Sequence, residues 1–511
     1  MNMKQSRTQN AKRNIFWGLV QKMVSLLCPF LVRTAMIYYL GSLYVGLNGL
    51  FTSILQVLSL AELGFGEAMV FSMYKPIAED NKEEICALLA LYKKIYSIIG
   101  IVVFAVGILL LPFLKILIKG EVPNDINIYI LYTIYLVNTC LSYFLFAYKS
   151  SLFVANQRTD IKTNIGTITM LAMYVLQLMS LLMFRNYYLY CVAVPVTTII
   201  NNLLIEYRAK KLYPEYVPIG RVSDSHAQDI KKRVIGLFIY KVCGVFRNSF
   251  DSIIISAFLG LTVLAQYQNY YFILNSITGF MLIITSSIMA GVGNSMASES
   301  CEKNYKDFTK FQYIYMWITN WCTVCLFCLY QSFMAIWVGE DLIFSTTIMM
   351  IFCVYFFTSQ MGNICYVYRQ AAGLWWQDRY RPIVEAVVNL TLNIILVKMI
   401  GVSGVLLSTI LCLVFINCVW GAWILFRYYF TQVPERWYLF RILYYAIVTA
   451  FGCFSSIVIS ELFIVQGFMN LFVRLVISCV ISNIVFIVFT SILPEHRDAF
   501  VFVKRVISRR N

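Results

Sequence analysis

Within the stretch from Asn14 to Tyr74, Lys22, Arg33, Glu62 and Glu67 interrupt segments that otherwise look made for lipid. An ionisable group at membrane depth costs a few kcal/mol or more, so it faces a cavity or a partner and marks function by default. Lys22 and Arg33 stand 11 residues apart. That is about three helical turns, which puts them on one face roughly 16 Å apart along the axis. Lys241 lies about seven residues into a later apolar run, at a depth matching Lys22. Two ammonium groups aimed at one cavity suit a ligand that carries several negative charges, since such a group binds cations strongly where water is scarce. The bland alternative for Lys22 is a snorkelling interfacial lysine, or half of an ion pair with Glu67.

The remaining polar residues at depth divide by chemistry. Arg247 joins the basic set, although its spacing to Asp251, four residues on along one helix, reads first as a structural pair. Glu62 sits near Gly64 and Gly66. It suits helix packing first, then a coupling site for a proton or sodium ion or a partner for Arg33. Glu67 reads as support for the basic wall. Arg474, isolated in the last apolar run, suits a protein contact. Gln266, Tyr267, Gln268, Asn269, Tyr270 and Tyr271 form a polar aromatic cluster. Such groups can hydrogen-bond and stack on sugars, but tyrosines at a membrane interface are ordinary belt chemistry, and Asn48 stands equally. Cys322, Cys325 and Cys328 suit core packing, since a metal site would want histidine and both histidines, His226 and His496, fall in loops or tails. No phosphate loop, paired catalytic carboxylates or nucleophile with a base is visible, so neither an enzyme nor an ATP-driven mechanism is expected, and no cofactor.

The elements that must position these residues are membrane spans. The 511 residues are 60% hydrophobic and only 13% charged, too apolar for soluble domains. The formal charge of +16 does not point to nucleic acid, because the bases gather in short loops. Apolar runs of about 20 residues number fourteen. With the N-terminus inside, 32 Lys and Arg fall in inside segments and 4 outside, which places both termini in the cytoplasm. A shift of 219 positions superposes Lys12-Arg13 on Lys231-Lys232, Lys22 on Lys241, Leu40-Gly41 on Leu259-Gly260 and Ala78 on Ala297. The expected fold is therefore all-α and polytopic, with parallel six-helix lobes and two extra C-terminal helices. Its divisions are a first lobe over 1–212, a cytoplasmic connector over 213–233, a second lobe over 234–430, and two helices with a tail over 431–511.

The run Gly46-Leu47-Asn48-Gly49-Leu50-Phe51, followed by Ile54-Leu55-Gln56-Val57-Leu58-Ser59-Leu60-Ala61-Glu62-Leu63-Gly64-Phe65-Gly66 and Phe71-Ser72-Met73-Tyr74-Lys75-Pro76-Ile77-Ala78, resembles bacterial polysaccharide flippases of the Wzx type. These belong to the multidrug/oligosaccharidyl-lipid/polysaccharide exporter (MOP) superfamily. The resemblance implies a protein of the bacterial cytoplasmic membrane that moves an undecaprenyl-pyrophosphate-linked oligosaccharide to the outer leaflet by alternating access. It would work among membrane lipids beside a polysaccharide polymerase and glycosyltransferases. A lipid II flippase, a cation-coupled multidrug exporter and a multi-span polysaccharide-synthesis enzyme are the competing readings. The eighth span lacks the charge expected of a lipid II flippase, and the short loops leave no room for a catalytic domain. A major-facilitator transporter would show a Gly- and Arg-rich loop between Lys75 and Lys94, which is absent.

Overall fold

The computed structural model describes residues 7–62, 65–223, 228, 230, 245, 249–463 and 467–508. Helices account for its regular structure, and eleven of those described are long and apolar enough to cross a membrane, or twelve counting one bent pair. Two shorter apolar helices, Ser42–Leu58 and Ser249–Leu259, occupy the second and seventh expected spans, so each of the fourteen expected segments carries helix. The protein is an all-α multi-pass membrane protein. Its packing divides into two compact units, Met1–Ala265 and Gln266–Asn511.

The first unit opens with α1 (Arg7–Tyr39), whose 33 residues run through Pro29. Gly41, at φ 105°, ends it and lets α2 (Ser42–Leu58) reverse direction; that backbone conformation is costly for any residue with a Cβ. The second expected span is not one helix. It closes into a 3₁₀ turn at Ser59–Glu62 and restarts as α3 (Phe65–Ala78). Asn81 then caps α4 (Lys82–Leu110), accepting from the Glu84 amide at 3.1 Å. The fourth span likewise breaks: α5 (Ile128–Phe144) bends by 50° into the short segment 147–155, which includes α6 (Ser150–Ala155). Helices α7 (Thr159–Met179) and α8 (Tyr187–Leu212) follow, with α7 packed on both α1 and α8. The unit is completed by α9 (Ser249–Leu259) and the first turn of α10 (Leu261–Ser298). Gly260, at φ 95°, joins these two helices as Gly41 joins α1 to α2, so each of the two glycines matched by shifting the sequence stands between two helices. Ser256 secures α9 by donating to the Leu117 carbonyl at 2.7 Å.

In the second unit α11 (Cys301–Val338) is the central post. Against it pack α12 (Thr346–Met361), α13 (Asn363–Ala371), α17 (Arg436–Glu461), α18 (Gly467–Thr490) and α19 (Pro494–Ser508). The two extra C-terminal spans, α17 and α18, are thus part of this unit's core. Between α13 and α17 lie α14 (Arg381–Ile400), α15 (Val402–Leu411) and α16 (Gly421–Tyr428). Helices α14 and α15 are joined by a polar ladder, with Asn389 donating to Thr409 at 3.0 Å and Ser408 bonded to Asn393. Polar contacts of this kind hold helices together where lipid removes the hydrophobic drive.

Candidate functional site

Helix α1 presents two contrasting faces. Phe16, Met23, Leu27, Leu31 and Tyr38 form an exposed apolar stripe, whereas Val32 and Met36 are buried. At about 100° per residue, Lys22 and Arg33 point together, roughly 80–180° away from that stripe and toward the buried edge. Both are half-buried. The common face expected from the spacing is therefore turned off the lipid-like surface, and α1 carries no acidic residue along its length.

Arg33 lies within electrostatic reach of Tyr190 on α8, and Tyr190 opens a network that the sequence did not announce. Spacings of three and four residues put Tyr187, Tyr190 and Cys191 on one face of α8, and the rings of Tyr187 and Tyr190 stack with centroids 5.4 Å apart. Asn48 on α2 is the hub. Its amide donates to the Tyr190 hydroxyl at 3.3 Å, while its oxygen accepts from Tyr135 on α5 at 3.2 Å and from Thr52 at 3.2 Å. Tyr135 also lies 3.3 Å from the Tyr187 hydroxyl, and Tyr187 donates to the Tyr44 carbonyl at 3.2 Å. Tyr44 in turn donates to Asp125 at 2.5 Å. Three helices, α2, α5 and α8, are tied through one amide, which uses both its donor and acceptor ends. Chemically, this is a guanidinium held beside a wall of hydroxyl and amide groups. Such an arrangement can bind an anion at the arginine and orient hydroxylated groups beside it.

The other residues singled out in the sequence fall elsewhere. Lys241 and Arg247 lie outside the described residues, as do the side chains of Glu62 and Glu67, while the backbone places Glu62 in the 3₁₀ turn and Glu67 in the first turn of α3. Asp251 is buried on α9. The Gln266–Tyr271 cluster is not an interfacial belt. Tyr267, Asn269 and Tyr270 are buried in the second unit, where Tyr270 donates to Gln331 at 3.0 Å and accepts from the Phe344 amide at 3.2 Å. Gln266 donates to the Asp341 carbonyl at 3.4 Å. The reason is that α10 packs this face against aromatic neighbours, among them Phe352, whose ring lies 5.3 Å from Tyr270. Arg474 makes the protein contact expected of it, bonding Asn470 at 3.1 Å and the Cys328 carbonyl at 3.5 Å. Of the three cysteines, Cys328 is core, packed with Val324 and Cys453. Cys322 and Cys325 line an apolar cavity of about 610 Å³ facing Leu475 and Cys479 of α18.

Several loop bases are not solvated. Tyr148-Lys149 and Tyr368-Arg369 stand 220 positions apart, each just beyond a helix break, and both bases are buried. Lys149 pairs with Glu206 at 2.5 Å. Arg369 lies 3.6 Å from Asp378, which also takes a bidentate contact from Arg381 at 2.6 and 3.1 Å. Arg381 reaches Glu385 at 3.1 Å. Tyr213 lines a pocket with Lys149, and burial pushes its phenol up to about 12, partly opposed by Arg158.

No protein-family model matches the chain, and no curated protein matches its sequence. Solved structures do match in fold. The lipid II flippase MurJ, in an inward closed conformation, superposes with a TM-score of 0.68 at 14% identity, covering 93% of this chain and 99% of that one. An inward-facing multidrug-resistance MATE-family transporter of the MOP superfamily gives 0.64 at 15% identity, over 80% and 94%. A MOP-superfamily transporter from Pyrococcus furiosus, distinguished by the reverse polarity of its binding pocket, gives 0.53 at 14% identity, over 86% and 97%. The chain therefore has the fold shared by MATE transporters and MurJ.

Proposed function

We propose that the protein is a flippase for a lipid-linked oligosaccharide carrying a pyrophosphate, moving it across the cytoplasmic membrane of a bacterium by alternating access. A fold that serves drug exporters and lipid flippases alike does not choose the cargo; the charge of the site does. The observation that carries the reading is the charge of α1. It holds Lys22 and Arg33 on one face, turned from the exposed apolar stripe, with no acid on the helix. A site for an organic cation would need the opposite sign. Arg33 beside Tyr190 supplies a fork for phosphate oxygens, and the Asn48 network holds α8 in place beside it. Lys241, matched to Lys22 by the repeat, would supply the second ammonium, with Arg247 behind it. Glu62, Glu67 and Asp251 would support these bases or couple transport to a proton or sodium ion.

The test is a Lys22→Ala, Lys241→Ala double variant in reconstituted vesicles with a fluorescent lipid pyrophosphate oligosaccharide. Translocation should fall at least tenfold while membrane insertion is unchanged, as expected when charge-assisted contacts are lost. Normal transport by the double variant would refute the assignment. Tight binding of a lipophilic cation, with none of an anionic lipid pyrophosphate, would favour the exporter reading instead.

A further inference from the structure

A small pocket in the second unit, remote in sequence from the bases discussed above, has the chemistry of a binding site. It lies where the first three turns or so of α11 and α17 meet the first turn of α19 and encloses about 130 Å³, room for about four waters at about 30 Å³ each. Tyr305, Phe308, Trp437 and Tyr438 supply its aromatic walls. Gln312 is 3% exposed, and its Oε1 has no hydrogen-bond partner among the described residues. Its Nε2 donates to the Met361 carbonyl at 3.5 Å, which identifies the orphan end of the amide as the acceptor. A buried acceptor left unpaired is costly and calls for a donor. Glu495, 6% exposed, lines the same pocket, accepting from Tyr445 at 3.2 Å and paired with Arg441.

The interior thus offers acceptors and ring faces, the surroundings an ammonium prefers. The mouth offers the opposite charge. The Arg441 side chain is 32% exposed, and Trp437, one turn before it, is largely exposed. Phe440 lies next to Trp437 around α17, and exposed Leu443 and Ile447 continue this apolar surface away from the mouth. Arg441 and Glu495 cancel, making the pocket neutral but dipolar, negative inside and positive at the rim. Its complement is a small zwitterion with a primary ammonium at one end and a phosphate at the other.

We propose that this pocket binds the phosphoethanolamine headgroup of a membrane phospholipid, with the ammonium between Gln312 and Glu495 and the phosphate at Arg441. A choline headgroup has no N–H to give the Gln312 oxygen, and a glycerol headgroup has no cation to set beside Glu495. The site therefore selects among headgroups, and it does so whatever the transported cargo is.

The experiment is native mass spectrometry of the full-length protein released from mixed micelles containing equal phosphatidylethanolamine, phosphatidylcholine and phosphatidylglycerol. Retention of the ethanolamine lipid should exceed the other two about tenfold, the worth of one charge-assisted hydrogen bond. Gln312→Leu should abolish the preference, and Trp437→Leu, at the exposed rim, should weaken it about threefold. Soluble phosphoethanolamine should compete the lipid away. Equal retention of the three lipids by the wild type, or an undiminished preference in both variants, would overturn the proposal. So would protection from thermal unfolding by soluble phosphoethanolamine without retention of the lipid, since the ligand would then come from the cytosol.

Discussion

Removing Asp378 should unbalance the most enclosed charge cluster described in the second unit. Arg369, Asp378, Arg381 and Glu385 are all at most 6% exposed, and two guanidiniums face two carboxylates. Asp378→Ala deletes both acceptors of the bidentate contact from Arg381 and the partner 3.6 Å from Arg369. Glu385 then remains as an acid partner of Arg381, and Arg369 loses the carboxylate 3.6 Å from it. Breaking a buried pair from one side costs about 3–5 kcal/mol, because the charge left behind cannot reach water. For a unit of about 250 residues, each kcal/mol lowers the melting point by about 2–4 °C, so the loss should be about 6–20 °C. Melting of the full-length protein in detergent, followed by intrinsic fluorescence, measures it. Charge balance can be restored by Asp378→Asn with Arg369→Gln, and the double variant should recover about 1–3 kcal/mol relative to the sum of the singles. A loss under about 1 kcal/mol, or strict additivity, would mean that water reaches these groups and would refute the argument.

Asn48→Ala should destabilise the first unit by about 1–3 kcal/mol by leaving buried hydroxyls short of a partner, and it should be non-additive with Tyr135→Phe in a detergent melt. Gly46→Val should sharply reduce the yield of folded protein, because even a first Cβ at this position would come within 2.3 Å of the Leu261 carbonyl oxygen; a monodisperse, wild-type elution profile would contradict that packing. Gly421→Ala should lower the melting point, since its Cβ would overlap the Arg369 guanidinium, and combining it with Arg369→Met should remove most of the penalty.

Period, length and charge bias were enough to read the spans from the chain, because lipid demands that each segment bury its own backbone hydrogen bonds in helix. The two glycines matched by a shift of 219 positions were legible for a local reason: a positive-φ residue between two helices, as at Gly41 and Gly260, favours glycine. The shared face of Lys22 and Arg33 also follows from spacing alone. Breaks inside spans were harder to see. Neither the 3₁₀ turn at Ser59–Glu62 nor the 50° bend after Phe144 interrupts the apolar pattern on which a span is recognised.

What escaped the sequence entirely were contacts between distant segments. Asn48, Tyr135 and Tyr190 are up to 142 residues apart, and nothing local in any one helix says that the other two will meet it. Lys149, Arg369 and Arg381 look like ordinary inside-loop bases until burial beside Glu206, Asp378 and Glu385 shows that they bind the fold together. The Gln266–Tyr271 run has the composition of a membrane-surface belt, and only the packing of α10 turns Tyr267 and Tyr270 inward. Composition and period thus determine which segments cross the membrane and which bases enter it. Which neighbour each polar group finds is a matter of helix packing, since a buried donor or acceptor takes its partner from whichever helix the fold brings within 3 Å or so.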